Sequence, residues 1–109
     1  MFTIDVDKDA TGRVICRPVG ELDLYTVPRF RQALAGLAWG SQVVIDMSGV
    51  AFIDSAGVGA LVGGVRRIRD RGGDVAVACP RPGLRRLLHT IGVDRLVTVA
   101  EDVEQALVA

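Results

Sequence analysis

The chain has 109 residues, 50% of them apolar and 24% charged, and its 13 acidic and 13 basic side chains cancel to a formal net charge of zero. That length fits one domain, residues 1–109, large enough to bury a core without disulfide or metal staples. The balanced charge removes the bulk attraction that draws nucleic-acid-binding proteins to phosphate, and no apolar run approaches the roughly 18 residues of a membrane span.

The opening "MFTIDVDKDA" carries acids early and lacks a basic segment followed by an apolar core, so it does not read as a secretory signal and the cytoplasm is the expected compartment. Residues 2–6 alternate apolar and polar, "RVICRPVG" follows at 13–20, and the pair predicts a β-hairpin. At residue 27 the period changes. Val27, Phe30, Leu34 and Leu37 fall at helical spacing, Thr26 is placed to cap the start and Pro28 sits in the first turn, so a helix is predicted over 27–37. "QVVIDM" at 42–47 reads as a central strand covered on both faces. A loop, 48–55, leaves its carboxyl end, and a long helix follows with Val58, Leu61, Val62, Val65 and Ile68 on one stripe.

"RGGD" at 71–74 stops that helix, and "VAVAC" at 75–79 gives another buried strand. Pro82 opens a third helix in which Leu84, Leu87, Leu88 and Ile91 repeat at i, i+3, i+4 and i+7, closed by Gly92. "RLVTV" at 95–99 reads as a last strand and "VEQAL" at 103–107 as a short final helix. The order predicts a single α/β domain whose mixed sheet of about five strands is covered by about four helices, with right-handed crossovers and sites beyond the carboxyl ends of the strands. Cys16 and Cys79 lie in strand-like runs with no CxxC spacing and only one histidine in the chain, so both read as buried thiols; no metal site and no cofactor are expected. Residues 66–95 hold eight arginines against three aspartates, which reads as solvated helix faces before it reads as an anion-binding surface.

The stretch that carries chemistry is "FIDSAGVGAL" at 52–61. An Asp–Ser pair at a helix start can simply cap the free N–H groups of the first turn. A nucleophilic serine would need His89, at the end of a different helix, and "IDSAG" lacks the G-x-S-x-G turn, so no catalytic residue is expected. The third reading is a phosphoacceptor. A phosphate on Ser55 would be favoured by the helix N-terminus and would place about −1.5 to −2 units of charge beside Asp54 without unfolding the domain. Gly57, Gly59, Ala60, Gly63 and Gly64 fit either a low-relief face open to a partner or close packing of the helix on its own neighbours.

"GELDLYT" at 20–26, "VVIDMSGVAFIDSAGVGAL" at 43–61, "RGGDVAVACPRPGLRRLLHTIGVDRL" at 71–96 and "EDVEQAL" at 101–107 together resemble the bacterial anti-sigma factor antagonists of the STAS domain type, over nearly the whole chain. The resemblance implies a partner-switching regulator. Unphosphorylated, such a protein binds an anti-sigma factor that is also a serine kinase of histidine-kinase-like ATPase fold, and a sigma factor is released for transcription. Phosphorylation ends the binding and a phosphatase restores it. Carried over by position, Ser55 is the expected phosphoacceptor, and Asp23, Asp54, Ser55, Ala56, Gly57, Val58, Gly59 and Ala60 are the expected partner-binding residues; neither nucleic acid nor membrane is an expected partner. Many members read D-S-S-G, whereas Ala56 stands here at the second serine, which removes an alternative acceptor and leaves the principal one. The rival reading is a constitutive STAS scaffold or transport-accessory component in which Ser55 serves only as a helix cap.

Overall fold

The computed structural model describes residues 1–108 as six strands and five helices in one α/β layer structure. Strands β1 (Thr3–Lys8) and β2 (Val14–Leu22) form the antiparallel hairpin, with Val6 opposite Cys16. Helix α1 (Val27–Ala35) leads to β3 (Gln42–Asp46), which lies parallel to the first half of β2 with Cys16 opposite Ile45. β5 (Asp74–Ala78) and β6 (Thr98–Ala100) extend the parallel part, giving the order β1-β2-β3-β5-β6. β3 is the central strand. Val43 and Ile45 join the larger core under α1 and α2 (Ser55–Asp70), while Val44 joins Ile15, Ala76 and Ala78 under the terminal helix α5 (Val103–Val108).

Two elements differ from the sequence expectation. The segment 48–55 is not all loop: Val50–Ile53 forms β4, which pairs in parallel with the second half of β2, Gly20 opposite Val50 and Leu22 opposite Ile53. A register shift between Gly20 and Glu21 means that the buried positions are Val50 and Ile53 with Ala51 and Phe52 outside. That spacing matches neither the strand nor the helix period, which is why it was invisible in the sequence. The second difference lies at 95–99. Gly92, at φ 86°, ends the helix α3 (Pro82–Thr90), and the chain makes one further helical turn, α4 (Val93–Leu96), before β6 begins at Thr98. Val97 N–H donates to the Val93 carbonyl at 3.1 Å, and the buried residues are Val93 and Val97, four apart, so the local period is helical.

β2 and β4 end side by side. Their last residues, Leu22 and Ile53, are buried, and the two chains that leave them are the β2–α1 loop and the start of α2. The Asp54–Ser55 junction therefore stands at the carboxyl ends of two paired parallel strands.

Candidate functional site

Helix α2 starts with a division of labour between its first two polar residues. Asp54 is the N-cap in extended conformation, and its Oδ1 accepts the Gly57 N–H at 2.8 Å. A cap of this kind contributes about 0.5–2 kcal/mol. Ser55 is the first helical residue; it is exposed, and no hydrogen bond engages its hydroxyl among the described residues. The cap is thus supplied by Asp54 and not by Ser55. The hydroxyl stands free at the positive end of a 16-residue helix whose basic last turn, Arg67 and Arg69, balances the opposite end of the dipole.

Asp54 also reaches sideways. Its Oδ2 accepts the Leu24 N–H at 3.1 Å, and its own N–H donates to the Leu22 carbonyl at 3.3 Å. Asp23 is occupied within its own turn: its Oδ1 accepts the N–H groups of Tyr25 at 2.9 Å and Thr26 at 3.1 Å. Thr26 holds the N-cap position of α1 but makes no side-chain cap; its hydroxyl donates to the Glu21 carbonyl at 2.8 Å and accepts the Asp23 N–H at 3.0 Å. The expected cap is replaced by a tightened β2–α1 loop.

The eight residues singled out in the sequence separate by exposure. Ser55 and Gly59 are exposed, and Asp23, Asp54, Ala56 and Val58 are half-buried. Gly57 and Ala60 face inward: an added Cβ at Gly57 would lie 2.2 Å from the Leu22 carbonyl oxygen, and Ala60 packs in the main core. Gly64 likewise admits Leu34 of α1, whereas nothing lies within 4 Å of a Cβ built at Gly59 or Gly63. The small residues of α2 therefore serve both readings offered by the sequence, inward packing at 57, 60 and 64 and an open face at 59 and 63.

Four exposed apolar residues of the elements around the helix start lie outside the set expected from the sequence. Leu87 and Ile91 belong to the periodic stripe of α3, yet only Leu88 of that stripe is fully buried; Leu87 is 40% and Ile91 47% exposed. They line an apolar cleft with Ile53, Asp54, Ser55 and Val58. In the β2–α1 loop, tied to the helix start by the Leu24 N–H bond to Asp54, Leu24 is 66% and Tyr25 88% exposed. A hydrophobic residue so exposed next to others is the signal of a docking surface, and sequence periodicity cannot report it because it assumes that every stripe residue faces the core. His89 lies outside this cleft: it is about 200° around α3 from Leu87, and its Nδ1 meets Asp94 Oδ2 at 2.5 Å.

Cys16 and Cys79 are both buried and free; burial pushes the Cys16 thiol up to about 12, and burial likewise raises Cys79. Among the described residues no cluster of three or more His, Cys, Asp or Glu converges as metal ligands, and no helix is long and apolar enough to cross a membrane.

The sequence and fold have named relatives. At 29% identity over 99 residues, covering 88% of this chain and 85% of the relative, the chain is similar to an anti-sigma F factor antagonist of Paenibacillus polymyxa. It is 29% identical over 101 residues to an anti-sigma-B factor antagonist of Bacillus subtilis, covering 91% of this chain and 93% of the relative. Its backbone superposes at a TM-score of 0.81 on the crystal structure of an anti-sigma factor antagonist from Mycobacterium paratuberculosis, with 29% identity and coverage of 99% and 92%. The STAS domain model matches residues 4–106, nearly the whole length, and the chain belongs to the STAS domain family.

Proposed function

We propose that the protein is an anti-sigma factor antagonist switched by phosphorylation at Ser55. Unphosphorylated, it docks through the helix start, the β2–α1 loop and the Leu87–Ile91 cleft onto an anti-sigma factor that is also a serine kinase of histidine-kinase-like ATPase fold, and a sigma factor is released. The observation that carries the reading is the free, exposed hydroxyl of Ser55 at the N-terminus of α2, with the cap already provided by Asp54. The names of its relatives support the same partner class.

In the kinase step, Ser55 Oγ bonds to the γ-phosphorus of ATP held by the partner, the bond to the departing ADP breaks, and the hydroxyl proton passes to a base of the kinase. A phosphatase returns the hydroxyl by transferring the phosphoryl group to water. Phosphate at Ser55 sits beside the Asp54 carboxylate and at the mouth of an apolar cleft. Like-charge repulsion and the cost of desolvating a dianion then oppose docking of an apolar partner surface.

The test is phosphosite mapping by mass spectrometry after incubation with ATP-supplemented lysate of the native host. The expected result is phosphate on Ser55, none on the Ser55→Ala variant, retained partner binding by Ser55→Ala and weakened binding by Ser55→Asp. Absence of phosphate in a lysate that phosphorylates other serines would favour the constitutive scaffold or transport-accessory role.

A further inference from the structure

The β2–α1 loop presents its two largest side chains, Leu24 and Tyr25, to solvent, so burial does not hold them in place. Hydrogen bonds do. Asp23 and Thr26 bind groups within the loop and the end of β2, and these contacts shape the turn without fixing it against α2. Among the described residues, the Leu24 N–H to Asp54 Oδ2 bond at 3.1 Å is the one side-chain hydrogen bond that joins the loop to the helix start. The second carboxylate oxygen holds the Gly57 N–H at 2.8 Å. One side chain therefore spans two elements, and a carboxylate is required because it offers two acceptor oxygens and no donor.

We infer that Asp54 is a positioning residue: it staples the β2–α1 loop, which carries Leu24 and Tyr25, to the start of α2 so that loop and helix form one preassembled docking face, and it acts on the partner through that loop. The inference rests on the proposed function for what docks there. It revises the expectation that Asp54 is itself a partner contact, since both of its oxygens are directed to main-chain donors of its own chain. Pre-ordering an exposed apolar loop lowers the entropic cost of association, so the staple serves affinity more than stability.

Two variants separate staple from cap. Asn and Ser are both good N-caps, so Asp54→Asn and Asp54→Ser retain the Gly57 contact and the fold. Asn would turn its amide donor toward the Leu24 N–H, and Ser is too short to span both donors. By NMR, the Leu24 amide should move upfield and exchange about three- to tenfold faster in both variants, while the Gly57 amide changes little. An unchanged Leu24 amide would overturn the inference. The second readout is the initial rate of Ser55 phosphorylation in ATP-supplemented host lysate. Asp54→Asn should lower it about three- to tenfold in the parent, with no further fall in a Leu24→Ala/Tyr25→Ala background. Independent, multiplying effects would make Asp54 a direct contact and overturn the positioning role. No phosphate on the parent protein would remove the switch reading instead, and the Leu24 amide alone would then decide the staple.

Discussion

Two glycines two positions apart in α2 have opposite physical roles. At Gly57 a methyl group would lie 2.2 Å from the Leu22 carbonyl oxygen and 2.7 Å from Ile53 Cγ1, so Gly57→Ala must pry the helix start away from the ends of β2 and β4. At Gly59 nothing lies within 4 Å. Gly57→Ala is expected to lower unfolding stability by about 1–3 kcal/mol, and Gly59→Ala to raise it by up to about 1 kcal/mol, both read from urea denaturation. Equal effects would show that the close approach at Leu22 does not constrain the helix. A further residue-scale expectation comes from Cys16, whose thiol burial pushes from 9.0 up to about 12. Between those values the native state holds a proton that the unfolded chain has lost, so stability is full below about pH 9 and falls as pH rises toward about 12. Cys16→Ala should flatten that part of the stability–pH curve, at the cost of a small cavity.

At the scale of elements, α5 is a lightly held piece. Six residues are too few for an independent helix, and its apolar contacts are those of Val103, Ala106 and Leu107 on a floor of Ile15, Val44 and two alanines. Arg13 adds a hydrogen bond from Nη1 to the Leu107 carbonyl at 2.6 Å. Native-state hydrogen exchange is expected to show α5 amides opening well before those of β3 and β5, which lie in the middle of the sheet. The arginines after residue 66 act at the same scale. Arg69, Arg71, Arg81 and Arg85 donate to the carbonyls of Leu96, Ala35, Ser48 and Cys79, fastening one element's end to another. Half of the eight arginines in residues 66–95 thus serve the fold. Arg71 also lies over the Trp39 ring, 5.3 Å from its centroid. Arg71→Lys should cost about 0.5–1 kcal/mol in denaturant unfolding, because an ammonium loses the planar contact and the directed hydrogen bond.

For the molecule as a whole, the proposed switch changes a surface and leaves the fold alone. Ser55→Asp adds an anion at the favourable end of α2 but beside the Asp54 carboxylate, so the two effects oppose. Thermal unfolding should place it within about 0.5 kcal/mol of the parent. A large loss of stability would mean that charge at Ser55 acts by unfolding the helix start. The order and approximate limits of the hairpin, α1, β3, α2, β5, α3 and α5 were legible in the sequence, because burial on one or both faces writes a period of 3.6 or 2 into the chain. So was the Asp54–Ser55 junction, where polar residues meet the start of a helix. β4 and α4 were not legible, since their form depends on a register shift in β2 and on the turn after Gly92. The sequence by itself determined the layered α/β domain and the two buried thiols, and marked Ser55 as a candidate phosphoacceptor. Only the tertiary structure decided which of Asp54 and Ser55 caps α2, which small residues face inward, that Leu87 and Ile91 line a cleft with Ser55, and that the exposed Leu24 is tied to Asp54. Those outcomes depend on contacts between residues distant in the chain, such as Leu24 with Asp54, which no local periodicity encodes.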